Sequence, residues 1–442
     1  MPAWPELTAP RPFRRPAPQP RRSRRTVRSR RPARPRLVVL LLALLLGTVT
    51  VACGPAARTR AGQATGPAAT TQDATARATD PDAGRGVVAR VALLLPLTGQ
   101  HARIGEAMLN AAELALYDVA VDDFVLLPRD TGGTPEGARA AAEDALANGT
   151  TLILGPLLAG SVEAVHPLAA EAGVNVISFS SDETVAGNGA FVTGFLPRAQ
   201  IARAVAWAAG QGVFRYGVLA PDTAYGRLVA EESRQAVAEN AGSVTRMSFY
   251  DPVSPDVSAT VRDFASFDSR SESQRARGEG LDYEAVILPE GGLRLLQVAP
   301  LLPFFDVDAD KVLFIGTGQW DSPIVHEEPN LIGGVFAAAP PEARLNFVRD
   351  YAAAYGQEPP RLATLAYDAT ALAAILSRAP GGADFSQTAI TNPSGFAGID
   401  GIMRFLPDGT VERSLAVLRI ARDDSFTVAS PASSTFVTVA TE

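Results

Sequence analysis

Cysteine is almost missing from this chain: Cys53 is the single one in 442 residues. No internal disulfide can form, so stability has to come from a packed core. Histidine occurs three times, at His101, His166 and His326, and none has a partner at metal-ligand spacing. No metal and no other cofactor is therefore expected. Lysine occurs once, at Lys311, away from any glycine loop. No Gly-x-Gly-x-x-Gly and no Walker-type Gly-Lys-Ser/Thr is present, which leaves no recognisable phosphate cradle. Gly-x-Ser-x-Gly is absent as well, so the nucleophile elbow of a hydrolase is missing. Carboxylates are plentiful, but spacing singles out no pair. The expectation is a protein without catalytic residues, and not an enzyme. The longest apolar run, residues 37–51, has 15 residues, and a membrane-spanning helix needs about 20.

That short run is nevertheless informative. It follows an arginine-rich head and ends at Ala52-Cys53-Gly54. A basic start, an apolar middle and a small residue before the cut describe a secretory signal. The stretch Thr50-Val51-Ala52-Cys53 resembles the lipobox of bacterial lipoproteins, although that pattern prefers leucine where Thr50 stands. The resemblance implies a lipid on the Cys53 sulfur. Gly54 in the next place implies the outer membrane, so a periplasmic, lipid-anchored protein is expected. The head is longer than such signals require, and a translation start nearer Val27 accounts for it. Its rival, a nucleic-acid-binding arm, fits poorly in front of an export signal. Without residues 1–52 the chain keeps 28 arginines and lysines against 46 acids, a net of −18. Such a surface repels phosphate backbones, so no nucleic-acid partner is expected.

Residues 53–86 hold almost no large apolar side chain and read as a flexible tether. From Val87 short apolar runs alternate with amphipathic stretches. The runs are 87–96, 124–128, 151–155, 174–179, 216–221, 283–289, 311–316 and 333–338. Helical spacing marks 104–117, 135–148 and 224–240, the second opening on Thr134-Pro135 as cap and first-turn proline. Continuous apolar strands separated by helices imply parallel sheets covered on both faces. Two such sets divide near Leu196-Pro197. Further on, Pro407-Asp408-Gly409 between alternating runs signals a hairpin.

In open parallel sheets ligands bind beyond the carboxyl ends of the strands. The residues there are small and polar. They include Thr98, the Gly160-Ser161 pair, Ser180-Ser181-Asp182, Tyr225, Glu290 and Gln319-Trp320-Asp321. Several open helices, whose free N–H groups attract an anion. Ser161 and Ser181 could add hydroxyl donors, and Tyr225 and Trp320 could wall a pocket. Every α/β protein needs caps and turns of this kind, so the set is more informative than its members.

The order PLTGQHARIGEAMLNAAELAL, ILGPLLAGSVEAVHPLAAEAGVNVISFSS and APDTAYGRLVAEESRQAV resembles type I periplasmic binding proteins of the leucine/isoleucine/valine-binding class, over nearly all of 88–425. VNVISFSSDETVAGNGAFVTGF, IGTGQWD, LAYDATALAA and GFAGIDGIMRFLPDGTVERSLAV are more closely similar to lipoproteins called penicillin-binding-protein activators. The resemblance implies an α/β fold of two Rossmann-like lobes joined by three crossovers, expected near 196, 317 and 398. The first lobe would take 87–196 and 319–398, the second 197–318 and 399–430, with 431–442 as a tail. In the amino-acid binders, loops matching Gly160-Ser161 and Ser180-Ser181-Asp182 hold the ligand carboxylate and a tyrosine matching Tyr225 packs on the ligand. Glu290 and Asp321 are the candidates for the acid that meets its ammonium. Asp182 stands where those binders often have threonine or serine, and its charge would repel an amino-acid carboxylate. The resemblance to the activators, with the anchor, the tether and Asp182, makes the expected function the activation of a peptidoglycan synthase (a penicillin-binding protein) by protein contact, without chemistry of its own, with a small amino-acid-like ligand as a further candidate partner. The alternative is the solute-binding component of an importer for branched-chain or related amino acids.

Overall fold

The computed structural model describes residues 88–119, 123–423 and 425–436, all within one compact unit. Cys53, the basic head, the signal and the tether lie outside the described residues.

Five strands form the first sheet: β1 (Ala89–Leu95), β2 (Phe124–Asp130), β3 (Leu152–Leu154), β4 (Asn175–Ser178) and β5 (Ala190–Val192). Their spatial order is β2-β1-β3-β4-β5 and every neighbouring pair is parallel. This is a doubly wound order. β1 shows why the sequence reads as one apolar run. Leu93, Leu94 and Leu95 are all fully buried, because helices cover both faces of the sheet. Helices Pro135–Ala147 and Ala159–Glu171 lie on one face, and Ala102–Val119 and Ala363–Leu376 on the other.

The second sheet repeats the plan. It holds β6 (Arg215–Pro221), β7 (Ser243–Tyr250), β8 (Ala285–Leu288), β9 (Leu313–Gly316) and β10 (Val335–Ala338), in the order β10-β9-β8-β6-β7 and all parallel. A small antiparallel sheet of β11 (Phe396–Gly398), β12 (Gly401–Phe405) and β13 (Val411–Arg413) follows. Met403, Phe405 and Val411 of this sheet are buried in the first lobe's core. Two further strands, β14 (Ala416–Ile420) and β15 (Phe426–Ser430), add antiparallel to the second sheet beside β10.

The local signals act as physics requires. Thr134 and Thr223 cap their helices, accepting from Gly137 N at 3.1 Å and Gly226 N at 3.0 Å. Gly105 and Gly226 sit in the same place in each lobe, in the first helical turn after β1 and β6. A Cβ on either would collide with the carbonyl oxygen of Pro96 or Pro221. Only glycine lets the helix approach its strand so closely. Between β12 and β13 the Asp408-Gly409 turn closes as a hairpin, with Asp408 Oδ1 accepting from Thr410 N at 2.9 Å.

Two of the expected crossovers are displaced. The chain passes from β5 into the helix Pro197–Gly210, which packs on the second sheet. It does not return near 317, because β10 still pairs with β9 in the second sheet. The return comes at Pro340-Pro341, opening the helix Pro341–Tyr355, whose Phe347 and Tyr351 pack on Ala111 of the first lobe. The last crossing is not near 398 either: Gly398 and Gly401 flank the turn of an antiparallel pair, and the chain leaves after Arg413. Residues 319–339 therefore belong with the second lobe and 399–413 with the first.

Candidate functional site

A cleft of about 1180 Å³ lies between the lobes. Loops after β4 and β5, the starts of helices after β6 and β8, and the turn after β9 wall it. These are the carboxyl ends of the strands, where open parallel sheets place their ligands.

Six of the residues singled out from the sequence line this cleft: Ser180, Ser181, Asp182, Tyr225, Gln319 and Asp321. Ser180 is buried; its Oγ accepts from Asp182 N at 3.1 Å, which tightens the loop. Asp182 is turned back on its own chain. Its Oδ1 accepts from Thr184 N at 2.9 Å and from Thr184 Oγ1 at 2.6 Å, capping the turn Glu183–Val185. Tyr225 donates to Thr317 Oγ1 at 3.0 Å, and burial pushes its phenol up.

The others stand elsewhere. Thr98 Oγ1 donates to Asp130 Oδ2 at 2.7 Å on an exposed loop. Gly160 and Ser161 fall inside the first turn of Ala159–Glu171, with Ser161 buried. Glu290 accepts from Tyr250 Oη at 2.7 Å and from Gly291 N at 3.1 Å and does not itself line the cleft, although Gly291 does. Trp320 is not a pocket wall. At 0% exposure it belongs to the second lobe's core, with its ring over Gly316, where any side chain would strike it. Its Nε1 donates to Glu290 O at 3.1 Å.

The cleft also holds a buried ionic hub that sequence reasoning passes over. Asp321, whose side chain is 8% exposed, lies 3.2 Å from Arg361 Nε and 3.4 Å from Arg344 Nη1. Arg361 Nη1 reaches Asp400 Oδ1 at 2.8 Å, and Thr364 Oγ1 bonds Asp400 Oδ2 at 2.6 Å. Asp400 is 0% exposed. The Arg361 guanidinium stacks over Phe195, 4.1 Å from the ring centre. Arg413, 8% exposed, donates from Nη2 to Thr193 O at 2.7 Å and Thr193 Oγ1 at 2.9 Å; its Nε and Nη1 have no partner among the described residues. Behind them Asp368 accepts from Ile399 N at 2.7 Å. Burial first, and then the Asp400 charge, push its carboxyl up to about 7. His326 also lines the cleft between Phe336 and Phe426, and burial pulls its imidazole down. Asp368 had a signal in the sequence, as one charge inside an apolar helix. Arg344, Arg361 and Arg413 had none, because the fold gathers them from three distant segments.

A family model described as periplasmic binding protein matches residues 88–425. Among solved structures, one from Rhodospirillum rubrum, described provisionally as a branched-chain amino acid ABC transporter, is 20% identical. That alignment covers 77% of this chain and 99% of the other, at a TM-score of 0.65. A branched-chain amino acid transporter substrate-binding protein from Streptococcus pneumoniae, solved with isoleucine, is 16% identical over 78% of this chain and 100% of its own, at 0.54. At such identities these likenesses show the fold alone. An uncharacterized protein of Rickettsia prowazekii is 22% identical over 176 residues; the match spans 40% of this chain and 47% of that relative. The family match runs from β1 to the loop before β15 and takes in both sheets, so the chain belongs to the periplasmic binding protein family.

Proposed function

We propose that this protein is a solute receptor of the cell envelope, closing its lobes on a small ligand and serving an importer of the ABC type. One observation carries the reading. The cleft between the lobes is large, walled by both of them, mostly apolar, and supplied with a few charged groups held in fixed positions. Concave, largely apolar sites with a few convergent polar groups bind small molecules, and hinge motion between two lobes is the usual way to enclose one. The relatives solved as transporter components have the same architecture. Attachment to a membrane through a lipid on Cys53 is part of the proposal, and placement at the outer membrane goes with the competing role below.

The competing role is contact activation of a peptidoglycan synthase. It drew on the anchor and tether, on Asp182 and on the motif at 395–417. The first lies outside the described residues. Asp182 caps Thr184 through Oδ1 and is exposed at the cleft, so water screens its repulsion of a ligand carboxylate. Met403, Phe405 and Val411 of the motif are core residues of the first lobe, so that part of the motif serves folding.

The test pairs calorimetry against amino acids, organic acids and amides with a pull-down of solubilised penicillin-binding proteins. A ligand present at about a hundred times its dissociation constant should add about 2.7 kcal/mol of stability. A retained synthase with no ligand in the panel would replace this reading with the activator role.

A further inference from the structure

We infer that the cleft takes a ligand with an apolar body, one carboxylate and no ammonium group, and that Arg344 meets the carboxylate. This rests on reading the cleft as a solute site and specifies what the solute is.

The argument starts from charge. Three guanidiniums, those of Arg344, Arg361 and Arg413, line the cleft. Two carboxylates are ion-paired with them, Asp321 and Asp400. The third acid behind them, Asp368, accepts from the Ile399 amide and pairs with none of the three guanidiniums. Three guanidiniums thus share two paired carboxylates, and buried charge without a counter-ion is costly. The three arginines do not share the shortage equally. Arg361 is fully occupied by Asp321, Asp400, Thr364 and the face of Phe195. Arg413 has its free nitrogens sealed from solvent. Arg344 differs. It reaches Asp321 from Nη1 alone, at 3.4 Å to each oxygen, and its side chain stays 25% exposed on the cleft wall. Burial pulls its guanidinium below the ordinary range, while Asp321, Asp400 and Glu358 act the other way. A planar donor fork with open positions, in a partly dry wall, suits a carboxylate.

An ammonium group has no comparable place. Glu290 faces Tyr250, and Asp321 is shared by two arginines. Asp182 is a cap. Glu358 is exposed at the rim, where water screens it. The remaining wall supplies the apolar contacts, among them Leu157, Phe179, Leu196, Val411, Leu415 and Phe426.

The experiment is isothermal titration of the purified full chain with matched triplets on several apolar bodies: isobutyl, benzyl and straight chains. Each triplet is the acid, the α-amino acid and the amide, for example 4-methylpentanoate, leucine and 4-methylpentanamide. The acid should bind at least tenfold more tightly than its two partners. In Arg344→Gln that advantage over the amide should vanish. Arg344→Lys, which keeps the charge without the fork, should restore part of it. Amino acids binding as tightly as the matched acids would overturn this inference and leave the receptor reading intact. An unchanged acid-to-amide ratio in Arg344→Gln would overturn the role of Arg344. Failure of every triplet would overturn both readings together.

Discussion

Replacing Asp368 by asparagine isolates one buried charge. The carboxyl is closed off by helix Ala363–Leu376 and the turn after β11, and the charged groups facing it are Asp400 and Arg413. Its folded value near 7 stands well above the ordinary 3.8. An acid raised in this way favours folding when protonated. Its stabilising contribution is complete below the unfolded value and is lost as pH rises through 7. Moving from about pH 8 to about pH 5 should therefore add about 2–3 kcal/mol from this group alone. Asparagine does not titrate and keeps an oxygen for the Ile399 amide, bonded at 2.7 Å. The variant should gain about 2–3 kcal/mol on the wild type as pH rises over that window. Other acids cancel in the difference. Urea unfolding followed by circular dichroism, on both proteins across the window, measures it. A gap that stays flat, or one that moves in favour of the wild type toward alkaline pH, would refute the reasoning.

Three further substitutions test the frame. Gly226→Ala puts a methyl against the Pro221 carbonyl oxygen and should cost about 1–3 kcal/mol, despite alanine's better helix propensity; a neutral or stabilising result in denaturant titration would contradict the close packing. Thr223→Ala removes the cap on Gly226 N and should cost about 1 kcal/mol by the same measurement. Arg361→Met leaves Asp400 enclosed without its ion pair and should cost about 3–5 kcal/mol. If thermal unfolding shows Arg361→Met within error of the wild type, the hub is not what ties this region together.

The parallel strands were legible because burial on both faces makes them short apolar runs, as in β1, β8 and β10. β7 escapes that reading. It is an edge strand with β6 as its single neighbour, and SVTRMSFY is half polar along its length. β5 is only three residues long and sits behind glycines. The crossovers were misplaced for a related reason. A strand end followed by Gly-Thr-Gly looks like an exit from the lobe, yet β10 adds one more parallel strand before the chain leaves. Loop chemistry identified Ser180, Ser181, Tyr225 and Gln319 as cleft residues, since strand ends face the ligand in any such sheet. It could not identify the ionic hub. A carboxylate such as Glu290 or Asp321 looks alike in sequence, and only the fold decides that one meets a tyrosine and the other two arginines.

The hub also joins the two roles that a closing receptor needs. Asp321 follows β9 in the second lobe, Arg344 and Arg361 follow the return crossing, and Arg413 ends β13 at the last crossing. Near the first crossing, Gln200 Oε1 accepts from Gly318 N at 2.6 Å. Arg413, at the last crossing, bonds Thr193 beside the first, and Arg344, just after the return, pairs with Asp321 of the second lobe. A ligand can shift lobe closure only through contacts that differ between open and closed states. The Arg344–Asp321 contact is the loosest tie in the hub and also borders the cleft. A ligand carboxylate engaging Arg344 would compete with, or complete, a bond that spans the hinge. Recognition and closure would then share one residue, whereas an apolar contact on either wall alone could supply affinity without biasing the hinge.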